Sequence, residues 1–125
     1  MTSENGHVEP RRFTLKRKEI PLELENPDGS LDNFIMRELV GIQRDAWLNK
    51  MKKKGEISTG GAIKVTDFTN LQADLLCMCI YDSNDKLVEL KTLQNWPASL
   101  QSELWDMAQE LSGLKAKATE EAKNA

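Results

Sequence analysis

The stretch that decides the fold is EIPLELENPDGSLDNFIMREL, residues 19–39. Apolar and polar residues alternate in its first half, which is the period of a half-buried β-strand. The apolar positions there are Ile20, Leu22 and Leu24. The NPDG segment, residues 26–29, predicts a tight turn because proline presets one backbone angle and aspartate and glycine tolerate the others. Phe34 and Met36 then share one face of a returning strand, so the stretch predicts antiparallel β structure.

The β pattern extends upstream, since Phe13 and Leu15 also alternate with polar residues. We therefore expect a β segment over residues 11–37, folded as an antiparallel hairpin or a three-stranded meander. Pro21 lies inside the middle run and has no N–H to donate. The strand that holds it is expected at a sheet edge or at a bulge.

From about Val40 the apolar period becomes helical. The segment VGIQRDAWLNKMKKKG, residues 40–55, predicts a first helix that ends in lysines before Gly55, as suits the negative end of a helix. The apolar residues expected on its inner side are Ile42, Ala46, Leu48 and Met51. Two adjacent glycines follow, and residues 55–64 are expected to form a long loop. Whether this loop is functional or merely disordered stays open.

TDFTNLQADLLCMCIYD, residues 66–82, predicts a second, central helix with a broad apolar face, capped by Thr66 or Asp67. Its expected inner stripe is Phe68, Leu71, Leu75 and Cys79, with Gln72, Leu76 and Ile80 alongside. A turn is expected at residues 82–86. An extended stretch and a short helix are expected to follow it, over residues 87–96.

The last helix is expected to begin at Pro97 and to end near Gly113, whose missing side chain suits a left-handed cap. Its core face carries Leu100, Leu104, Met107, Ala108 and Leu111. The fold class is therefore α+β, with the β segment followed by three to four helices. We expect a disordered tail over 1–10, one domain over 11–114 (helical from residue 38) and a charged tail over 115–125.

The composition of the chain argues against several classes of function. The chain has 125 residues and a net charge of −3, without the basic excess of most nucleic-acid-binding modules. It has no apolar run near the ~18 residues of a membrane span and no signal-peptide pattern, so a cytoplasmic protein is expected. His7 is the one histidine and lies in the polar tail, while Cys77 and Cys79 sit among apolar residues as expected core thiols. No catalytic group, cofactor or metal site is indicated.

Three segments in order carry a family resemblance: RELVGIQRDAWLNKM (37–51), DFTNLQADLLCMCIYDSNDKLV (67–88) and WPASLQSELWDMAQELSGL (96–114). Following a short β segment, they resemble the tail assembly chaperones of long-tailed bacteriophages. The likeness covers about residues 12–114.

That resemblance implies a non-enzymatic assembly factor in the host cytoplasm, absent from the finished virion. Proteins of that family are thought to bind the long tape measure protein and to help recruit tail tube subunits around it. They often occur in two lengths, the longer made by frameshifting. The DNA rather than the protein sequence decides whether a longer product exists here.

Residue type and helix margin, rather than the family, select a candidate client surface. Tryptophan anchors partners and methionine adapts to them. The candidates are Trp47, Met51, Trp105 and Met107, with residues 55–64 as a lid. Ordinary core packing is the competing interpretation of all four. Trp96, just before Pro97, is expected to fix the entry of the last helix.

Three other interpretations stay open. Basic clusters at residues 11–18 and 50–54 would suit a nucleic-acid-binding regulator, whose binding weakens steeply with salt. A minor structural protein of the tail would differ from a chaperone by remaining in the particle. A small enzyme would need a pocket with perturbed titrating groups. Self-association through the strand edge near Pro21 is a further expectation.

Overall fold

The computed structural model describes residues 8–57, 63–65 and 68–114, and it has an α+β fold. A three-stranded antiparallel sheet lies on one side, and four helices are described in the chain. The elements, in chain order, are β1 (Glu19–Glu25), β2 (Leu31–Arg37), α1 (Gly41–Lys53), β3 (Gly55–Ile57), β4 (Ile63–Val65), α2 (Leu71–Cys79), β5 (Ile80–Tyr81), α3 (Leu90–Gln94) and α4 (Ala98–Leu111).

The predicted hairpin is confirmed. β1 and β2 pair antiparallel with Ile20 opposite Met36 and Leu22 opposite Phe34, so the apolar positions of both strands share the inner face. The turn closes where the Gly29 N–H donates to the Asn26 carbonyl at 2.8 Å. Gly29 has a φ of +89°, a left-handed conformation that glycine adopts without strain.

The third strand comes from far along the chain, so the sheet is not a consecutive meander. β5 pairs with β2, placing Ile80 opposite Met36 and Tyr81 opposite Ile35, and the strand order is β1-β2-β5. β1 is therefore an edge strand, as Pro21 predicted. The two-residue β5 follows directly on α2, which joins the central helix to the sheet.

The prediction that the β pattern extends upstream to Phe13 and Leu15 is wrong. Residues 11–18, here called the basic arm, precede β1 without strand structure, and both apolar side chains are exposed. The reason lies in the alternation. Phe13 and Leu15 are odd-numbered, whereas Ile20 and Leu22 are even-numbered, so one continuous strand would put the two pairs on opposite faces. The chain bends at Lys16 instead.

α1 has the predicted bounds but is rotated about its axis from the predicted position. Ile42 and Ala46 are exposed, and Trp47, at 2% exposed, faces the core. The Gln43 side chain accepts a hydrogen bond from the Val40 N–H at 3.0 Å, which satisfies one free donor at the helix start. The bulkier Trp47 gains more from burial than Ile42 and Ala46 do, so it sets the inner face.

α2 begins later than predicted, at Leu71, and the predicted caps Thr66 and Asp67 lie outside the described residues. The N-cap is Asn70, whose φ of 56° is left-handed and interrupts any right-handed helix upstream. Residues 55–64 also differ from the predicted loop. β3 and β4 pair antiparallel, with Gly55 opposite Val65, while residues 58–62 lie outside the described part of the chain.

The C-terminal half follows its sequence signals closely. The turn at 82–86 is present, and the Asp82 carboxylate accepts hydrogen bonds from the N–H groups of Asn84 and Lys86. Pro97 occupies the N-cap position of α4, which begins at the next residue, Ala98. At the other end the Gly113 N–H donates to the Glu110 carbonyl and the Leu114 N–H to the Gln109 carbonyl, a Schellman motif. The expected terminal tails at 1–10 and 115–125 lie outside the described residues, except for residues 8–10, which are exposed.

The core lies between the inner face of the sheet and the helices. α2 is its centre and packs against both α3 and α4. The most deeply buried side chains are Met36, Trp47, Leu75, Leu76, Cys79, Ile80 and Leu93. Trp96 packs edge-on against Phe34 with ring centroids 5.4 Å apart, which holds the start of α4 against the sheet. None of the described helices is both long and apolar enough to cross a membrane.

Candidate protein-binding groove

An open groove of about 470 Å³ runs between α2 and α4, and eight described residues line it, none of them charged. They are Phe68, Asn70, Leu71, Gln72, Ala73, Gln94, Gln101 and Trp105. Its two aromatic side chains, those of Phe68 and Trp105, are the large apolar groups that a partner would contact. Four carboxamides surround them, so the groove offers both hydrogen-bond donors and acceptors without a net charge.

Phe68 is the most exposed apolar contact in the groove, with 69% of its surface accessible to solvent. It was predicted to lie in the core stripe of α2. Because the left-handed Asn70 sets the helix start at Leu71, Phe68 precedes the helix and leaves that stripe. Its carbonyl still accepts from the Leu71 N–H at 3.2 Å, which fixes the turn that presents the ring.

Two of the groove's carboxamides are held by hydrogen bonds. The Gln101 side chain donates to the Trp96 carbonyl at 2.9 Å, and the Gln72 side chain donates to the Ser102 hydroxyl at 3.3 Å. The second bond links α2 to α4 across the groove. Each amide keeps hydrogen-bonding capacity for a partner, since a carboxamide has two donor hydrogens and one acceptor oxygen.

Trp105 lies in the groove wall as a half-buried side chain, with its inner edge against Trp47. The two rings are 5.7 Å apart at an interplanar angle of 69°, an edge-to-face contact. Trp105 therefore has one side in the core and one on the surface. Trp47, also predicted for the client surface, is only 2% exposed and lies in the core of this structure.

The structure does not bring the other two predicted residues into this groove. Met51 is half-buried near the end of α1. Met107 lines a separate groove of about 340 Å³ between the start of β1 and the second half of α4, together with Lys18, Ile20, Glu110 and Leu111. The predicted lid at 55–64 is in part the β3–β4 pair, and its middle lies outside the described residues.

The two cysteines have unreactive surroundings. Burial raises the pKa of the Cys77 thiol and raises that of Cys79 to about 12, so both stay protonated at neutral pH. Cys79 is fully buried, as the sequence predicted, while Cys77 is half-buried and its thiol donates to the Asp74 carbonyl. Among the described residues, no three His, Cys, Asp or Glu side chains group as a metal ion would need.

Sequence reasoning missed most of this groove. Helix periodicity placed Phe68 and Leu71 in one stripe, and it gave no reason to select Gln72, Gln94 or Gln101. The available signal was Asn70, a residue that tolerates the left-handed conformation and often ends or precedes a helix. Comparison of the chain with models of known protein families, with curated proteins and with solved structures finds no match.

Proposed function

We propose that the protein is a tail assembly chaperone of a long-tailed bacteriophage. In this proposal it is not an enzyme, acts in the host cytoplasm and is absent from the mature virion. It binds a helical segment of the tape measure protein and helps recruit tail tube subunits. The ordered likeness of the three segments at 37–51, 67–88 and 96–114 is the basis for naming the family.

The observation that carries the proposal is the α2–α4 groove. Its exposed Phe68 and half-exposed Trp105 suit the apolar side chains of an amphipathic helix laid between two helices. The surrounding carboxamides suit uncharged polar side chains beside those anchors. A chaperone needs such a surface to cover apolar segments of its client before assembly.

The chain's charge distribution supports the same function. Charged residues make up 30% of the chain, which favours solubility while one groove remains uncharged. Client release is also favoured by a shallow, open groove, because it encloses less of each bound side chain than a closed pocket does.

The test is an affinity capture from cells producing phage particles, with the full chain as bait and mass spectrometry as the readout. Wild-type protein is expected to enrich a very long, helix-rich protein and the tube subunit, and to be missing from purified virions. Phe68→Ala is expected to lose at least about tenfold of that enrichment, since burying a phenylalanine is worth ~1.5–3 kcal/mol.

The matched control is Ile42→Ala, because Ile42 is an equally exposed apolar residue at 80% and lies on α1 rather than in the groove. Equal losses for both variants would show that the groove is not the client site. Presence of the chain in virions would make it a structural part of the tail. Capture of nucleic acid in place of tail proteins would support the regulator instead.

A further inference from the structure

The outer edge of β1 has the features of an acceptor for another strand. Within the described residues β1 pairs only with β2, so its second row of backbone hydrogen-bonding groups faces outward. Its exposed side chains are Pro21 and three glutamates: Glu19 pairs with Arg37, whereas Glu23 and Glu25 form no ion pair with any described residue. Its other face carries half-buried Ile20, Leu22 and Leu24.

The basic arm has the complementary pattern. Five of its eight residues are Arg or Lys, and its two large apolar side chains lie in solvent. Phe13 is 77% exposed and Leu15 is fully exposed. Their alternation with Arg12, Thr14 and Lys16 gives the arm one apolar and one mainly basic face in an extended conformation.

The arm does not cover the β1 edge of its own chain. Its root runs directly into β1 and pairs on the β2 side, where the Glu38 N–H donates to the Lys18 carbonyl at 2.9 Å. The Arg17 side chain points the same way, since its guanidinium donates to the Tyr81 hydroxyl at 3.3 Å and lies 5.6 Å from the ring centroid. Tyr81 belongs to β5, and β2 separates β5 from β1. Phe13 and Leu15 are exposed and lie in no strand, so the arm's two large apolar side chains are uncovered within one copy.

We propose that the basic arm of one copy adds as an antiparallel strand to the free edge of β1 in a second copy. One register satisfies both faces. Placing Phe13 opposite Leu22 and Leu15 opposite Ile20 gives two apolar pairs. The same register places Arg12 opposite Glu23 and Lys16 opposite Glu19, which gives two pairs of opposite charge.

The smaller groove receives Leu15 in this arrangement. Ile20, Met107 and Leu111 line it beside the start of β1, so a leucine opposite Ile20 enters it. Burial of Leu15 there supplies the apolar part of the affinity. Pro21 has no N–H and disfavours indiscriminate strand addition at this edge, so the side-chain match selects the arm over other strands.

Sedimentation equilibrium of the full chain tests the proposal. Wild-type protein is expected to show concentration-dependent masses of at least two copies of the 14.2 kDa chain. Leu15→Asp is expected to raise the dissociation constant at least tenfold. The control, Ile42→Asp, changes another exposed apolar residue, on α1, and is expected to leave the dissociation constant unchanged.

A charge exchange tests the register without touching the apolar contacts. Arg12→Glu and Glu23→Arg are each expected to weaken association about fivefold through lost attraction and new repulsion. In an equimolar mixture of the two variants every arm again meets an edge of opposite charge, so the dissociation constant is expected to return toward the wild-type value.

Three results would overturn the proposal. The first is a wild-type chain that stays monomeric up to several hundred micromolar. The second is an oligomer unaffected by Leu15→Asp, which would place the interface elsewhere. The third is a mixture of charge variants that associates no better than either variant alone. The groove between α2 and α4 takes no part in this contact, so these results are independent of client capture.

Discussion

Two tryptophans in edge-to-face contact have different environments. Trp47 is buried, and Trp105 shares its surface between the core and the α2–α4 groove. The Trp105 ring therefore connects any partner in the groove to the centre of the molecule. Residue type alone did not separate the two, because both tryptophans are large, apolar and part of a helix.

Replacing each tryptophan with alanine should separate their roles. Trp47→Ala is expected to lower the free energy of unfolding by ~3–5 kcal/mol, as a buried tryptophan does. Trp105→Ala is expected to lower it by about 1–2 kcal/mol, since only part of its surface is buried. It should also weaken client capture. Urea denaturation measures both values, and equal losses would make Trp105 a core residue without a binding role.

At the scale of elements, the ends of helices explain where prediction succeeded and failed. α4 begins beside Pro97 and ends with Gly113, both strong local signals, and its bounds were predicted closely. α2 carries no comparable signal at its start, and its left-handed Asn70 was taken for an ordinary helical residue. The bounds of a helix were thus predicted well where its ends carry strong local sequence signals.

A pair of glycine substitutions tests the α4 cap. Gly113 has a φ of +71° and Gly41 does not have a positive φ, yet an added Cβ meets nothing within 4 Å at either position. Gly113→Ala is therefore expected to cost about 1–2 kcal/mol from backbone conformation alone. Gly41→Ala, in the first turn of α1, is expected to be neutral or stabilising by up to ~1 kcal/mol.

Thermal unfolding followed by circular dichroism measures these differences, with Gly41→Ala as the matched control. A loss at position 41 equal to that at 113 would mean that the conformation of Gly113 contributes nothing. It would also remove the Schellman motif as the reason that α4 ends where it does.

At the scale of the whole molecule, one buried carboxylate connects distant parts of the chain. Asp74, in the first turn of α2, is 8% exposed and lies 3.6 Å from the Lys54 ammonium at the end of α1. Lys54 also donates to the Thr69 carbonyl. The lysine thus joins α1, the turn before α2 and α2 itself.

Asp74→Ala is expected to cost about 2 kcal/mol, because it removes a buried carboxylate that faces a poorly solvated ammonium. Asp45→Ala is the control, since Asp45 is exposed on α1 and its contact with Arg44 is a surface pair. It is expected to change the free energy of unfolding by no more than ~0.5 kcal/mol. A comparable small change for Asp74→Ala would show that the Lys54 contact adds nothing.

Sequence reasoning predicted the α+β class, the β1–β2 hairpin, the position of β1 at an edge and the bounds of α1. It did not predict that β5 completes the sheet, because a two-residue strand has no period to detect and its partner is more than forty residues away. The rotation of α1 and the groove beside Phe68 were missed for a related reason. Both depend on which faces meet after folding, and no short window of sequence contains that information.

The apolar positions shift from odd to even numbers between Leu15 and Ile20. The number of residues between the arm and β1 therefore decides whether their apolar side chains share one face. Inserting one residue between Leu15 and Glu19 would bring Phe13 and Leu15 into phase with Ile20 and Leu22. The arm would then extend its own β1 as one long apolar ribbon, and the complementary partner it now offers to another copy would be gone. The insertion of a single residue would thus decide whether the arm pairs with another copy or extends the strand of its own chain.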